Sequence, residues 1–362
     1  MVVDAQGRIV SLVRADDGRE AIAPDGAGGR LTLHRDTPNE WDAWDIDEHY
    51  RRSARRLDEE APTALTVDSR GVTIERVLGA TRIVQRIRLD PGAEALDIDL
   101  QVDWQEKQKL LKMSFDLDVH ADTTSSETQF GHVARATHTN TSWEAARFEF
   151  CAHKWVHVGE PGYGVAIAND STYGHDAQTR PRAGGGRTTT VSLSVLRAPL
   201  FPDPRADQGT HTMRFSVRPG AGIREAAVEG YRLNVPLRTV AAERPVEPLM
   251  SIMSETVIVQ TIKLADDGLG DVILRCYESE GGRGRVSVEP NFTAIGWQRT
   301  DLLEAAEPGT PWIDGAADLE LRPFEIVTLR FRPVNADDHD TLSAAQPSGT
   351  TALGRHDGGP DS

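Results

Sequence analysis

Apolar and polar residues take turns along most of this chain, and that habit most constrains what it can fold into. Leu96-Asp97-Ile98-Asp99-Leu100-Gln101-Val102 is the clearest run. Arg30-Leu31-Thr32-Leu33-His34, Ala64 to Asp68, Val72 to Val77 and Arg82 to Leu89 repeat it, with turn residues such as Pro91-Gly92 between. A two-residue period places alternate side chains on opposite faces of an extended strand, so each run has one dry and one wet face. Strands of that kind pair antiparallel. The pattern continues through Leu110 to Val119, Trp155 to Val158, Gly164 to Ala168 and Thr188 to Leu196. Helical periodicity is almost absent; Arg51 to Glu60 suggests one short turn. The expected fold class is all-β.

Punctuation divides the chain. Pro236, Pro245 and Pro248 interrupt the strand texture, so residues 233–250 read as a linker or crossing segment. A large sandwich is expected over residues 1–232 and a smaller one over 251–333, built on Val257 to Leu264, Gly270 to Tyr277, Val286 to Val288 and Phe324 to Phe331. Residues 334–362 hold almost no large apolar side chain and are expected to be disordered. The hairpin suggested by Val2-Val3 and Ile9 to Val13 has no cap or turn before it, so the chain reads as starting inside a domain.

Composition bounds the partners. The formal charge of −16 argues against duplex nucleic acid and anionic membrane surfaces. No apolar run is long enough to span a bilayer, and the N-terminus lacks the basic and apolar regions of a signal peptide. The two cysteines, Cys151 and Cys276, sit far apart in strand-like segments and are expected as buried free thiols. A cytoplasmic protein is expected.

One segment carries chemistry out of proportion to its length. Trp41-Asp42-Ala43-Trp44-Asp45-Ile46-Asp47 packs two indoles and three carboxylates together. Aromatic faces beside hydrogen-bonding carboxylates suit a sugar ring, with its apolar C–H faces and hydroxyl rim. If the segment is a strand, Asp45 and Asp47 share one face and Asp42 takes the other. Three readings stand: catalytic carboxylates, an acidic sheet edge with both indoles packed inward, or a sugar-contacting loop lent to a neighbouring catalytic site. Asp45 and Asp47 with Glu48 also hint at calcium, but the glycine and distant glutamate of a calcium hand are lacking. A second polar group comprises His132, Arg135, His138 and Asn140. No cysteine or carboxylate completes a zinc site there. Arg135 and Asn140 suit sugar hydroxyls, or the group serves a loop by satisfying buried carbonyls. Asp203, Asp207 and His211 read as turn punctuation, and Arg51, Arg52, Arg55 and Arg56 as a solvated charged segment.

Longer motifs identify a resemblance. Asp42-Ala43-Trp44-Asp45-Ile46-Asp47, Phe130 to Glu144 with Arg147-Phe148-Glu149, Gly162 to Ala166, Asn169-Asp170 and Leu196-Arg197-Ala198-Pro199 resemble the C-terminal region of glycoside hydrolase family 38, the α-mannosidases. Pro202-Asp203-Pro204, Asp207 to His211, Leu302-Leu303-Glu304 and Leu321 to Leu329 extend the likeness, in order, over roughly residues 1 to 332.

The resemblance implies a galactose-mutarotase-like super-β-sandwich followed by a smaller sandwich. Family members carry an α/β barrel and a helical bundle ahead of this region. The nucleophilic aspartate and the His/Asp zinc ligands belong mostly there, so the resemblance assigns no catalytic residue and no metal ligand here. It implies zinc in the complete enzyme, an α-mannoside or other carbohydrate as ligand, and, where the gene is split, a separate chain carrying the catalytic barrel as a partner. Candidate sugar contacts are Trp41, Asp42, Trp44, Asp45, Asp47, Arg135, His138 and Asn140. The alternatives are a stand-alone carbohydrate-binding sandwich and an aldose-epimerase-type enzyme, for which Glu149 with His138 or His153 would supply base and acid.

Overall fold

The computed structural model describes residues 1–241, 243–306 and 308–334. The tail expected to be disordered, residues 334–362, lies outside the described residues except for Val334.

Two antiparallel sheets face each other in the first two-thirds of the chain. The larger runs Gly131–Ala136, Thr123–Thr128, Trp155–Glu160, Tyr163–Asn169, Gly209–Pro219, Leu96–Trp104, Thr81–Arg88, Gly71–Leu78, Ala64–Val67. The smaller runs Phe150–Cys151, Gly174–Pro181, Arg187–Leu196, Lys109–Leu117, Arg30–Arg35, Arg55–Arg56. Alternation does what the sequence implies. Leu96, Ile98, Leu100, Val102 and Trp104 are all 0% exposed, while Gln101 and Asp103 between them face out. From the opposite sheet Leu111, Met113, Phe115 and Leu117 enter the same core. Each such residue contributes about 1.5–3 kcal/mol on burial, so this double layer dominates the stability.

Tyr163–Asn169 departs from alternation, because every residue in it is buried. Its outer face carries Ala166 and Ala168, against which the helix Ile223–Asn234 lays Ala226, Ala227 and Leu233. That helix was not expected. Glu225 accepts from the Gly222 amide at 2.9 Å and closes its first turn. Its last turn runs into the segment expected to be linker.

Val2–Val3 and Ile9–Ser11 pair as a two-stranded sheet, and the remaining strands form a three-stranded sheet, Met250–Met253, Gly284–Pro290, Ala317–Leu321, and a four-stranded one, Val257–Leu264, Val272–Glu278, Ile326–Pro333, Ala294–Thr300. Their core includes Leu274, Cys276, Val288, Trp297, Leu329 and Phe331. Ile258 and Tyr277 join the cluster that Trp155 and the helix form, so the two sandwiches share a packed seam. Phe130 meets Tyr277 edge-on across it, with centroids 5.6 Å apart.

The cysteines part company. Cys276 is buried in the small core as expected, and burial pushes its thiol up to about 12. Cys151 is exposed, because its strand is a two-residue edge of the six-stranded sheet.

Candidate functional site

The segment 41–47 is a turn, not a strand, so the alternation expected for its carboxylates does not apply. Trp41 sits at φ 57°, in the left-handed region that non-glycine residues rarely adopt. Its carbonyl accepts from the Trp44 and Asp45 amides, both at 2.8 Å. Each carboxylate then fixes backbone. Asp42 accepts from the Leu200 and Phe201 amides at 2.6 and 3.0 Å. Asp45 accepts from the Ile46 amide, and Asp47 from the Asn39 amide at 2.7 Å. Arg197 completes the tie. Its Nε donates to buried Asp36 at 2.5 Å, and its Nη2 to the carbonyls of Asp42 and Asp45.

The indoles are what this scaffold presents. Trp41 and Trp44 are 66% and 67% exposed, so the reading in which both pack inward is incorrect. Phe201, at 66%, stands on the segment that Asp42 holds. A left-handed tryptophan costs of order 1–3 kcal/mol and persists only where surrounding bonds over-determine it. Here the carboxylates and Arg197 do so.

Immediately downstream, the short 3-10 helix Glu48–Ser53 stands where a short turn was expected, starting earlier. Buried Tyr50 donates to Glu149 at 2.7 Å, and Arg51 donates to the Phe148 carbonyl at 2.7 Å. Lys112 is 3% exposed and donates to Glu149, Asp176 and the Tyr50 hydroxyl. Burial works against its charge, but Asp176 and Glu149 outweigh that and push the ammonium above its ordinary value. His34, 5.0 Å from the Tyr50 ring, is pushed down to about 4 by burial and by Lys112. Sequence reasoning missed this network. No local signal marked it, because Lys112 alternates with Leu111 and Met113 as any outward-facing residue of the strand would.

The second polar group is split. His132 and Arg135 lie on the strand Gly131–Ala136 rather than in a loop. Arg135 Nε is buried without a hydrogen-bond partner among the described residues, and the buried His132 ring has at most the Glu280 backbone beside it. His132 lies between Trp155, to which it is tilted, and Phe324, which it meets edge-on, at the seam of the sandwiches, where burial lowers its pKa. His138 and Asn140 follow the strand, and His138 Nδ1 accepts from the Asn140 amide at 3.4 Å. Arg135 also lines a small depression with Glu144, Arg147 and Glu149. Glu149 has Tyr50, Lys112 and Ser194 as partners, not His138 or His153, so the acid–base pair of an epimerase is not assembled. Asp203 behaves as turn punctuation and accepts from the Arg205 amide; His211 does not, since it lies in the strand Gly209–Pro219, with its Nε2 2.8 Å from the Asp207 carbonyl. Among the described residues, no three His, Cys, Asp or Glu side chains are grouped to hold a metal ion. No described helix is long and apolar enough to cross a membrane.

Comparison with known proteins agrees with this arrangement. Residues 1–205 match the family model for the glycosyl hydrolases family 38 C-terminal domain, and residues 256–329 that for the family 38 C-terminal beta sandwich domain. The chain is 32% identical over 346 residues to alpha-mannosidase 2C1 of Homo sapiens, covering 90% of this chain and 32% of that protein. It is 33% identical over 356 residues to alpha-mannosidase G of Dictyostelium discoideum, again covering 32% of the relative. It thus spans about a third of the length of these relatives. Among solved structures, an alpha-mannosidase from Enterococcus faecalis V583 superposes with a TM-score of 0.70 at 14% identity, covering 91% of this chain and 41% of that one, a likeness of fold. Two sandwiches in this order, with the first family model spanning more than half of the sequence, establish that the chain belongs to glycosyl hydrolase family 38, as its C-terminal region.

Proposed function

We propose that this chain is the carbohydrate-contacting and structural C-terminal portion of an α-mannosidase and has little hydrolytic activity alone. The observation that carries this reading is the 41–47 turn: two exposed indoles on a rim that three carboxylates and Arg197 hold rigid. Such a rim buttresses a catalytic barrel and offers aromatic faces to the sugar bound there. The carboxylates act at one remove, because their oxygens already serve backbone amides; Trp41 and Trp44 make the contact.

Retaining hydrolysis needs two carboxyl groups roughly 5 Å apart with one held as acid. The turn supplies no such pair free of backbone duty. The zinc of the complete enzyme does not fit this chain's described side chains, and its ligands would lie in polypeptide outside these 362 residues. The barrel would be supplied by that polypeptide, whether continuous with this chain or separate. Free Cys151 and Cys276 suit a reducing, cytoplasmic setting.

The test is complementation. Mixed with a barrel-bearing polypeptide of the family, the chain should support zinc-dependent cleavage of an aryl α-mannoside. Trp41→Ala and Trp44→Ala should lower kcat/KM by about tenfold each, the scale of a lost stacking contact of 1–1.5 kcal/mol. Enzyme-like cleavage by this chain alone, or unchanged kinetics in both variants, would refute the reading.

A further inference from the structure

The face of the six-stranded sheet turned away from the core is a polar grid. Antiparallel register sets Asp176 opposite Ser192, Ser192 opposite Ser114 and Ser114 opposite Arg30. The next row reads Gln178, Thr190, Asp116. Beyond it Arg180 faces Thr188, and in the other direction Lys112 lies between Ser194 and Thr32. A polar outer face is ordinary where a sheet is convex and wet. This one is sunken. Asp176, Ser192, Thr188 and Thr32 are 4–8% exposed, as buried as many core residues. Residues 23–26 wall one side, Tyr50 and Arg51 another, and Arg180, Pro181 and Ala183 a third. They border a half-open depression of about 580 Å³, within the range of small-molecule sites.

The charges lining this space are largely matched already. Lys112 is neutralised by Glu149 and Asp176, and Arg30 pairs with Asp116. Arg56 grips Asp58 through two nitrogens at 2.8 and 3.2 Å, and Arg51 lies 3.8 Å from Asp176. Arg180 alone of the lining cations has no ion-pair partner among the described residues. An anion would therefore compete with resident carboxylates for nearly every guanidinium. An apolar guest would take water from the donors and acceptors that the floor's hydroxyls, amide and carboxylates do not spend on one another, and would return nothing for them. A polyol does neither, since each hydroxyl both donates and accepts. The floor offers Ser114 and Ser192 hydroxyls 3.2 Å apart, the Thr190 hydroxyl on Asp116, and the Gln178 amide, whose nitrogen lies 3.3 Å from Asp176.

We propose that this cavity binds a neutral mono- or disaccharide, held by Ser114, Ser192, Thr190 and Gln178. It lies outside the 41–47 turn, and the claim does not depend on the role given to that turn. Hydrogen bonding, with Tyr50 in the lining but only 2% exposed, makes the site selective for hydroxyl stereochemistry and modest in affinity.

The test is titration of the full chain with D-mannose, D-glucose and α-1,2-mannobiose, followed by calorimetry and saturation-transfer NMR. At least one sugar should bind at a single site. Gln178→Trp, a half-buried position where an indole would fill the cavity, should weaken it by about tenfold or more, with the melting temperature unchanged. Ser192→Ala, a small deletion that the fold tolerates, should weaken it several-fold. Trp41→Ala should leave it unchanged. The proposal is overturned if none of the three sugars binds, if binding survives both cavity variants, if Trp41→Ala abolishes it, or if inorganic phosphate displaces the sugar.

Discussion

Replacing Lys112 by methionine isolates the electrostatics beneath the cavity. The methionine nearly matches the lysine stem in length, so packing changes little while one charge disappears. Lys112 is 3% exposed, and its partners Glu149 and Asp176 retain 12% and 8% of their side-chain surface. Each contact is worth about 4 kcal/mol gross at 4 Å and an effective dielectric constant near 20. Desolvating three charges cancels much of that. Removing the cation is another matter, because it leaves two largely buried carboxylates with Tyr50, Ser194, Gln178 and Arg51 as their remaining partners. Breaking a buried pair from one side costs about 3–5 kcal/mol. At about 2–4 °C per kcal/mol for a domain of this size, Lys112→Met should lower the melting temperature by roughly 6–20 °C. Differential scanning calorimetry reads this directly. The triple variant Lys112→Met/Glu149→Gln/Asp176→Asn removes all three charges and should recover more than half of the loss. A single variant that melts within about 1 °C of the parent would refute the reasoning, since the network would then be too well solvated to matter.

Three further outcomes follow from the same geometry. His34 and His175 are both pushed down to about 4, chiefly by burial, so their native forms are neutral; that stabilisation is fully present above the ordinary value of 6.5 and is lost as pH falls from 6.5 toward 4. Urea midpoints should decline across this window, by about 3 kcal/mol at most from His175 and less from His34, and the variant His34→Gln/His175→Gln should flatten the decline. Arg197→Ala strands buried Asp36 and releases two carbonyls of the 41–47 turn; it should cost about 3 kcal/mol and speed hydrogen exchange at residues 41–47, whereas exchange unchanged there would show that the carboxylates hold the turn without it. Cys151 should react rapidly with a thiol reagent while Cys276, buried and pushed up to about 12, reacts only on unfolding; two equal fast phases would contradict the burial.

The sheets were legible because alternation is a local signal that burial merely ratifies. Leu96 to Trp104 reads the same in sequence and in structure, inward at every even position. The helix Ile223–Asn234 was not legible, and Gly230 shows why. Glycine lowers helical propensity by about 1 kcal/mol relative to alanine, so the run looks broken. Yet a Cβ at Gly230 would lie 2.8 Å from Trp155, and the residue that weakens the local signal is the one the tertiary contact requires. The alanines that face it, Ala226 and Ala227, give only a faint apolar stripe for the same reason: close helix–sheet packing leaves no room for larger side chains.

The 41–47 turn hid itself differently. Asp-x-x-Asp-x-Asp spacing imitates an alternating strand, and Trp41 occupies a left-handed position that glycine or asparagine would have announced. What determines the local conformation lies more than a hundred and fifty residues away, in Arg197 and in the amides of Leu200 and Phe201. The sunken grid is the opposite case. Every one of its residues is visible as the polar half of an alternating strand, but whether that half faces open water or a walled cavity depends on residues 23–26, Tyr50 and Arg51 from other parts of the chain. Polar alternation therefore reports which residues leave the core, and not what they meet when they do. Lys112 makes the point: between Leu111 and Met113 it reads as an ordinary outward residue, like Asp116 between Phe115 and Leu117, and only Glu149 and Asp176, brought to it from elsewhere in the fold, make it a buried charge.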